Sequence, residues 1–410
     1  MKLISFESFE QILPSELIER LAFEYNVDKC NQIKLPGMLV FACLLDTILL
    51  GNDASLQDLA DSYLLRTGQT VHRSSIGKRF ANIPVDFFRG IFEHLYDVLF
   101  NQTNRAEKRA LQIRYIDATI VTLSAMLMEV GLLVNHNTKR GALRYIKSVF
   151  SLDDNGFPKL LRQCKNKDEH SDNTALGDSI IASLLPNSLN VFDGGLTDRN
   201  RLLKIHIAGS YFITRHISQK LNVREVVYES DNDQRADDAP KKGEPTYQLL
   251  RVEDCRFGTA TDKDKFENFP ILAIQGRRWD KREKTWSPLV NITNLPLSEY
   301  KAKAGDYSFE EVAGIYRKRW DIETYFKFIK KNLGFSHIIS RTQNGIEVMI
   351  YMTLIASLLL SWYKKAACIN SGWKSVMRFF SNYVVKWTAE LMETALSNQS
   401  AARKNRPLRI

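Results

Sequence analysis

Cysteine is scarce in this chain and never paired by spacing. Its five copies, Cys30, Cys43, Cys164, Cys255 and Cys368, fall in no CxxC or Cys/His pattern. That supports neither a zinc site nor a disulfide framework and fits a reducing cytoplasm. Long apolar runs are also missing. The most membrane-like segment, Val348 to Tyr363, has 16 residues, short of the roughly 20 that span a bilayer, and reads as a buried core helix. The first 30 residues lack a basic start, an apolar stretch and a small-residue cleavage site, so no secretory signal is expected. Acid is in deficit: 47 Asp and Glu face 57 Lys and Arg, a formal charge of +10. Such a balance favours a polyanionic partner, nucleic acid among them. With 44% hydrophobic and 25% charged residues over 410 positions, the chain is globular rather than disordered and long enough for two or three packed units.

Apolar residues recur at helical spacing over Leu17 to Tyr25, Met38 to Leu50 and Val85 to Phe100, so residues 1–105 read as an all-helical N-terminal domain. Within it Ser55 and Asp58 form a capping box. A second helix start follows at Ser74 or Ser75, with Arg73, Lys78 and Arg79 on or near that helix. Two readings stand: a helix-turn-helix whose second helix carries Lys78 and Arg79 to DNA, or two helices that merely pack with a basic end outward.

From about residue 106 short apolar runs alternate with helical ones. Leu111 to Asp117 looks like a strand ending in an acid, and TIVTLS (119–124) reads as its hairpin partner. Arg144 to Leu152 and Phe157 to Cys164 flank Asp153-Asp154-Asn155-Gly156, a hairpin turn signal. A helix over Thr174 to Leu185, a strand over Ser188 to Asp193, a helix near Arg199 to Lys204 and a strand over Ser210 to Ile217 follow. Antiparallel strands succeeded by alternating strands and helices predict an α/β fold with a mixed sheet covered by helices. Residues 106–221 form the first part of this core, 222–300 a β-rich insertion with an exposed connection at Glu229 to Gly243, and 301–375 the second part. A C-terminal helix and basic tail occupy 376–410.

The segment from Tyr316 to Lys331 concentrates chemistry. It holds six Lys and Arg against two acids, Asp321 and Glu323, and spaces Tyr316, Arg319, Glu323 and Lys330 by three, four and seven residues. On one helix these four lie within about 60° of each other, beside an apolar stripe of Ile322, Phe326 and Ile329. A carboxylate flanked by two cations and a phenol suits a phosphodiester: the acid can hold a metal ion while Arg and Lys meet phosphate oxygens. A merely solvated charged face is the plainer alternative, but lone Glu323 in a basic field, next to Tyr316 and Trp320, needs a reason. Asp117 and Asp193 each end a predicted strand. Carboxylates at neighbouring strand ends converge though remote in sequence. With Glu323 they offer three oxygen ligands suited to Mg²⁺ or Mn²⁺ rather than zinc. A strand-terminal Asp is also a common turn or cap residue, and Asp198 competes with Asp193 for the second position.

Taken together, Asp117, Asp193, Glu323 and the Tyr316-Arg319-Glu323-Lys330 spacing resemble the DDE transposases of bacterial insertion sequences, in particular the insertion-sequence-four family. IYRKRWDIETYFKFIKKNLGF and the preceding PLVNITNLPLSEY are similar to stretches found there, and the resemblance covers roughly residues 111–360. Ile116 to Thr119 is similar to the motif around the first Asp. At the second, Asp193-Gly194-Gly195-Leu196 lacks the family's Arg and aromatic. The resemblance implies a ribonuclease H-like core with a β-rich insertion. It also implies binding of terminal inverted repeats, metal-dependent hydrolysis at the element's ends, and joining of the 3′-hydroxyls to target DNA, in some relatives through a DNA hairpin. Asp117, Asp193 and Glu323 would ligate two Mg²⁺ ions, with Mn²⁺ able to substitute. Tyr316 and Arg319 would contact terminal phosphates with Lys330 assisting, and Trp286, or Trp279, would stack on a flipped base. The implied partners are double-stranded DNA, at the element's ends and at the target, and a second copy in a homodimeric synaptic complex, in the nucleoid-associated cytoplasm of a bacterium. Two other readings remain: a silent descendant that binds DNA as a repressor or scaffold, which three intact acids argue against, and a nuclease without strand transfer, which has no need of a clamp on a DNA terminus.

Overall fold

The computed structural model describes residues 6–28, 35–51, 54–107, 111–122, 132–133, 144–164, 171–196, 198–216, 221–230, 239–240, 246–258, 263–298, 307–340 and 342–384. In chain order the helices and strands are α1 (Phe6–Glu10), α2 (Ser15–Glu24), α3 (Gly37–Leu49), α4 (Leu56–Thr67), α5 (Arg73–Asn82), α6 (Val85–Glu107), β1 (Gln112–Thr122), β2 (Leu132–Leu133), β3 (Arg144–Asp153), β4 (Pro158–Cys164), α7 (Asp172–Ala182), β5 (Ser188–Phe192), α8 (Arg199–Ile207) and β6 (Tyr211–Arg215). Then come β7 (Asn222–Glu229), β8 (Tyr247–Arg256), β9 (Ile271–Asp280), β10 (Thr285–Thr293), β11 (Leu297–Ser298), β12 (Tyr307–Ser308), α9 (Phe309–Lys318), α10 (Trp320–Asn332) and α11 (Gln343–Ala366), with α12 over residues 373–384. They divide into one unit of residues 1–107, 120–146 and 324–410, and another of 108–119 and 147–323.

The first unit is built on α11. Ile346, Val348, Met352, Leu354, Ile355, Leu358, Leu359 and Leu360 are all completely buried, each contributing about 1.5–3 kcal/mol of transfer free energy. Among the described residues α11 is the one helix long and apolar enough to cross a membrane, and the unit buries it among α3, α5 and α6. Its N-terminus is tied to the end of α5: the Asn344 amide donates to the carbonyls of Phe80 (2.7 Å) and Ile83 (2.8 Å). The later part of α10 packs here too, with the Tyr325 hydroxyl 3.0 Å from Ser357 Oγ and Phe328 stacked on Trp373 at 4.1 Å. Gly334, in the left-handed region at φ +64, follows α10 and lies so near the chain at Gly51 that a Cβ on it would stand 2.8 Å from the Gly51 carbonyl oxygen.

The second unit is a sheet ordered β3-β1-β5-β6-β10-β9-β8-β7, with β4 paired to β3. β1, β5 and β6 run parallel; α7 leads from β4 into β5, and α8 crosses from β5 to β6. β5 is buried at every position, the expected state of a parallel strand covered on both faces. The Asp153–Gly156 turn closes the β3–β4 hairpin, with Gly156 at φ +81. β10 runs antiparallel to β6, so the strands of residues 222–300 extend the same sheet. Gly276 on β9 has no room for a side chain, since a Cβ would sit 2.4 Å from the Tyr247 hydroxyl.

Three expectations change. TIVTLS is not a hairpin partner: its first four residues continue β1 without a turn, which needs turn residues that are absent there, and 123–124 lie outside the described residues. α5 starts at Arg73, not Ser74 or Ser75, because the His72 ring accepts from the Ser74 N–H as the cap. The helix bearing Tyr316 to Lys330 is two helices, α9 and α10, meeting at Arg319. The segments 231–238 and 241–245 and the tail from 385 lie outside the described residues.

Gly334→Ala is expected to destabilise the protein by about 1–3 kcal/mol, the scale of a left-handed non-glycine residue held against backbone. Chemical denaturation of the two proteins measures it.

Candidate active site

Strand register assembles the site. β1 and β5 pair Tyr115 with Val191, and two residues further on that offset sets Asp117 beside Asp193, the first residue past β5. β5 and β6 pair Phe192 with Thr214, which sets Asp193 beside Arg215 at the end of β6. β6 and β10 pair Arg215 with Asn291. Register neighbours share a sheet face, so Asp117, Asp193, Arg215 and Asn291 form one row across four strands.

α9 packs over β6 and β8. Its start is fixed by the capping box that sequence predicts, Ser308 with Glu311, and its end delivers Arg319 to the row. The Lys318 ammonium, 3.2 Å from Asp154 Oδ1, ties that end to the β3–β4 hairpin, and the Tyr115 hydroxyl donates to the same oxygen at 3.1 Å. The Arg319 guanidinium places Nη2 2.9 Å from Glu323 Oε1 and Nη1 3.8 Å from Asp117 Oδ2. Its Nε has no hydrogen-bond partner. It also lies 5.9 Å from the Tyr316 ring and 5.8 Å from the Trp320 ring.

The charges respond to one another. Burial pushes the Asp117 carboxyl up to about 6; the Ala118 N–H and Arg319 oppose the rise, while Glu323 and Asp193 add to it. Burial works against the charge on Arg319, yet Tyr316, Asp193, Glu323 and Asp117 outweigh it and raise its affinity for the proton. Burial also raises the Tyr316 phenol, with Asp193 adding and Arg319 and Arg215 opposing, so it remains a proton donor at neutral pH. Asp198 stands apart: its carboxylate caps α8, accepting from the Arg201 N–H at 2.9 Å.

The donor set suits a hard divalent cation: three carboxylates, no sulfur or imidazole. Among the described residues, however, no three acids stand close enough together to enclose an ion, because the Arg319 guanidinium lies between Asp117 and Glu323. The residues therefore fit an ion in chemistry, in an arrangement where Arg319 has turned away.

The remaining predicted residues fall as follows. Lys330 lies on α10 seven residues past Glu323, half-buried, and burial lowers its ammonium. Trp286 meets Trp279 edge to face at 5.5 Å across the β9–β10 hairpin, under the Arg277 guanidinium at 5.0 Å. Trp279 lines a cleft of about 580 Å³ together with Arg215, Arg278, Lys281, Arg282 and Trp320. Lys78 is exposed on α5. Arg79 is a correction: it donates to the carbonyls of Val27 and Leu35, each at 3.0 Å, and pairs with Asp28 at 2.9 Å, so its guanidinium is spent on packing the first unit. Arg215 and Asn291 were not among the sequence candidates; a cation closing the strand after Asp193 was the one available signal.

Two predictions arise. The Asp117 carboxylate form costs stability; that penalty is absent below the unfolded value near 4 and grows as pH rises through about 6. Without divalent ions, Asp117→Asn is therefore expected to gain about 1–2 kcal/mol at neutral pH and nothing at about pH 4, read by denaturation at both. Arg79→Ala is expected to lose about 2–4 kcal/mol by removing the counter-charge of Asp28, which among the described residues keeps only the Gly37 N–H, and by leaving two carbonyls unpaired, whereas Lys78→Ala is expected to leave stability unchanged and to weaken duplex binding.

Comparison with known proteins agrees on the family. A model of the transposase DDE domain matches residues 154–359, about half the chain, spanning Asp193 and Glu323 and starting past Asp117. A protein of Synechocystis sp. (strain ATCC 27184 / PCC 6803 / Kazusa), described as a transposase for insertion sequence element IS4SA, is 24% identical over 300 residues, 72% of each chain. The protein y4zB of Sinorhizobium fredii (strain NBRC 101917 / NGR234), also described as a transposase, is 26% identical over 300 residues, 73% of this chain and 72% of its own. Among solved structures, the piggyBac transposase synaptic complex with hairpin DNA matches with a TM-score of 0.43 at 11% identity, over 98% of this chain and 85% of that one, a likeness too slight to carry an argument. Divalent metal ions are general to DDE transposases, whose work is the cleavage and transfer of DNA. The matched model and the acids gathered on one sheet face lead to one conclusion: the chain belongs to the DDE transposase family.

Proposed function

We propose that the protein cuts the ends of an insertion sequence and joins them to target DNA, with Asp117, Asp193 and Glu323 as the ligands of its metal site. The observation that carries this reading is Arg319, a buried guanidinium 2.9 Å from Glu323 and 3.8 Å from Asp117 and electrostatically coupled to Asp193. One cation serving three acids is an arrangement that exchanges readily for another cation. When a DNA phosphate reaches the site, the guanidinium has a competing partner whose two non-bridging oxygens it can donate to bidentately, and the three carboxylates would then be left to a divalent ion, Mg²⁺ or Mn²⁺. Such an ion supplies Lewis-acid polarisation of the phosphate and lowers the proton affinity of the attacking oxygen.

The chain's own groups do the rest. Tyr316, kept protonated by burial, donates to a terminal phosphate oxygen beside Arg319. Lys330 presents its ammonium two turns along α10. The cations Arg215, Arg278, Lys281 and Arg282 around the cleft follow the strand backbone, and the Trp286 and Trp279 pair offers an aromatic surface for an unstacked base. Lys78 on α5 adds a phosphate contact from the helical region. Two element ends processed together call for a homodimer with two such sites.

The test is strand cleavage on a duplex bearing the inverted repeat that brackets the gene, with Mg²⁺ present. Glu323→Gln, Asp117→Asn and Asp193→Asn are each expected to lose at least about a hundredfold in rate, the scale for removing one transition-state stabiliser, while duplex binding persists. Asp198→Asn, whose amide oxygen can still accept from the Arg201 N–H as the cap of α8, is expected to keep its stability and to cleave normally. Normal cleavage by Glu323→Gln, or loss of cleavage in Asp198→Asn alone, would overturn the assignment.

A further inference from the structure

Asn291 is completely buried on β10, and neither atom of its side-chain amide has a hydrogen-bond partner. Each such group left unmade costs about 1–3 kcal/mol, and an apolar residue of the same shape avoids that cost. The same strand end satisfies another amide fully: Asn294 accepts from the Phe212 N–H at 2.9 Å and donates to the Ser210 carbonyl at 3.1 Å. The Asn291 amide therefore answers to something other than folding.

Its position says what. Asn291 lies directly across from Arg215 in the antiparallel β6–β10 pair. The His216 N–H donates to the Val290 carbonyl at 2.8 Å, so residues 216 and 290 are the hydrogen-bonded pair. Residues 215 and 291 are then the non-hydrogen-bonded pair, where facing side chains approach most closely. Both stand in the row that starts with Asp117 and Asp193. Arg215 is exposed at the end of β6, lines the cationic cleft and acts electrostatically on Tyr316.

We infer that Asn291 is a positioning residue that acts through Arg215, its amide oxygen taking one guanidinium N–H so that the remaining edge of the fork faces a DNA phosphate beside Asp193. An arginine at a strand end swings freely, whereas one held at one nitrogen presents a fixed pair of donors, the geometry that bidentate phosphate binding requires. The inference rests on the transposase reading for the identity of the phosphate, and on the sheet register alone for the pairing.

The experiment uses full-length protein and the inverted-repeat duplex, with Asn291→Leu, Asn291→Asp, Arg215→Ala and the Asn291→Leu/Arg215→Ala double variant. Asn291→Leu is expected to keep or raise the melting temperature yet cut cleavage at least tenfold. Asn291→Asp, whose carboxylate can also take the guanidinium, is expected to retain cleavage. The double variant is expected to be no worse than Arg215→Ala alone, because neighbours acting as one unit are not additive. In duplex binding, Arg215→Ala and Asn291→Leu are each expected to reduce the salt slope by about one, the mark of one lost phosphate contact. Cleavage by Asn291→Leu at the wild-type rate, or losses that multiply in the double variant, overturns the inference. If Asn291→Leu melts early, Asn291→Asp decides: failure to cleave while folded also overturns it. If the wild-type protein itself cleaves nothing, the transposase reading falls, and the inference stands or falls on whether the salt slope of Asn291→Leu moves with that of Arg215→Ala.

Discussion

The site depends on one buried guanidinium held among carboxylates. Asp117, Asp193 and Glu323 come from β1, the residue after β5, and α10; brought to one sheet edge without a counter-charge they would repel and take up protons. Arg319 opposes this at distances of 2.9 and 3.8 Å from two of them, in surroundings where charges act on each other more strongly than in water, although burial still holds Asp117 raised to about 6. The local chain is shaped to deliver it. α9 begins at a side-chain cap, ends at Arg319, and lets α10 restart at Trp320 with Glu323 one turn further on. An acid cluster served by one arginine already accommodates positive charge, which is what a metal-dependent phosphoryl-transfer site needs.

Basic excess elsewhere is organised rather than diffuse. Arg215, Arg278, Lys281 and Arg282 ring the cleft that Trp279 and Trp320 also line, while Arg79 is consumed by packing against Asp28. The first group can exchange counterions for a DNA backbone; the second cannot, because its donors are already committed. The basic residues thus separate into cations that line an open cleft and cations committed to the fold.

Much of this was legible in the residues because it rests on local rules. The capping boxes at Ser55 and Ser308, the Asp153–Gly156 hairpin turn, the all-helical start and the buried helix ending near Tyr363 follow from periodicity and side-chain chemistry within a few positions. What was not legible depends on distant partners. Arg79 reads as a DNA contact until Asp28, some fifty residues earlier, is placed beside it. The break at Arg319 hides because a tightened turn scarcely disturbs helical spacing. β1 runs on through TIVT because alternation alone does not distinguish one long strand from two short ones. Asp193 and Asp198 separate once one is seen to cap α8, and the row through Arg215 to Asn291 exists only in the register of four strands.

The most direct measurement is anomalous diffraction from crystals of the protein with Mn²⁺ and a duplex ending in the inverted repeat. A manganese peak is expected within coordination distance of carboxylate oxygens of Asp117, Asp193 and Glu323, with the Arg319 guanidinium moved onto a phosphate. A manganese ion bound elsewhere, with Arg319 still bridging Asp117 and Glu323 in the DNA complex, would contradict that expectation.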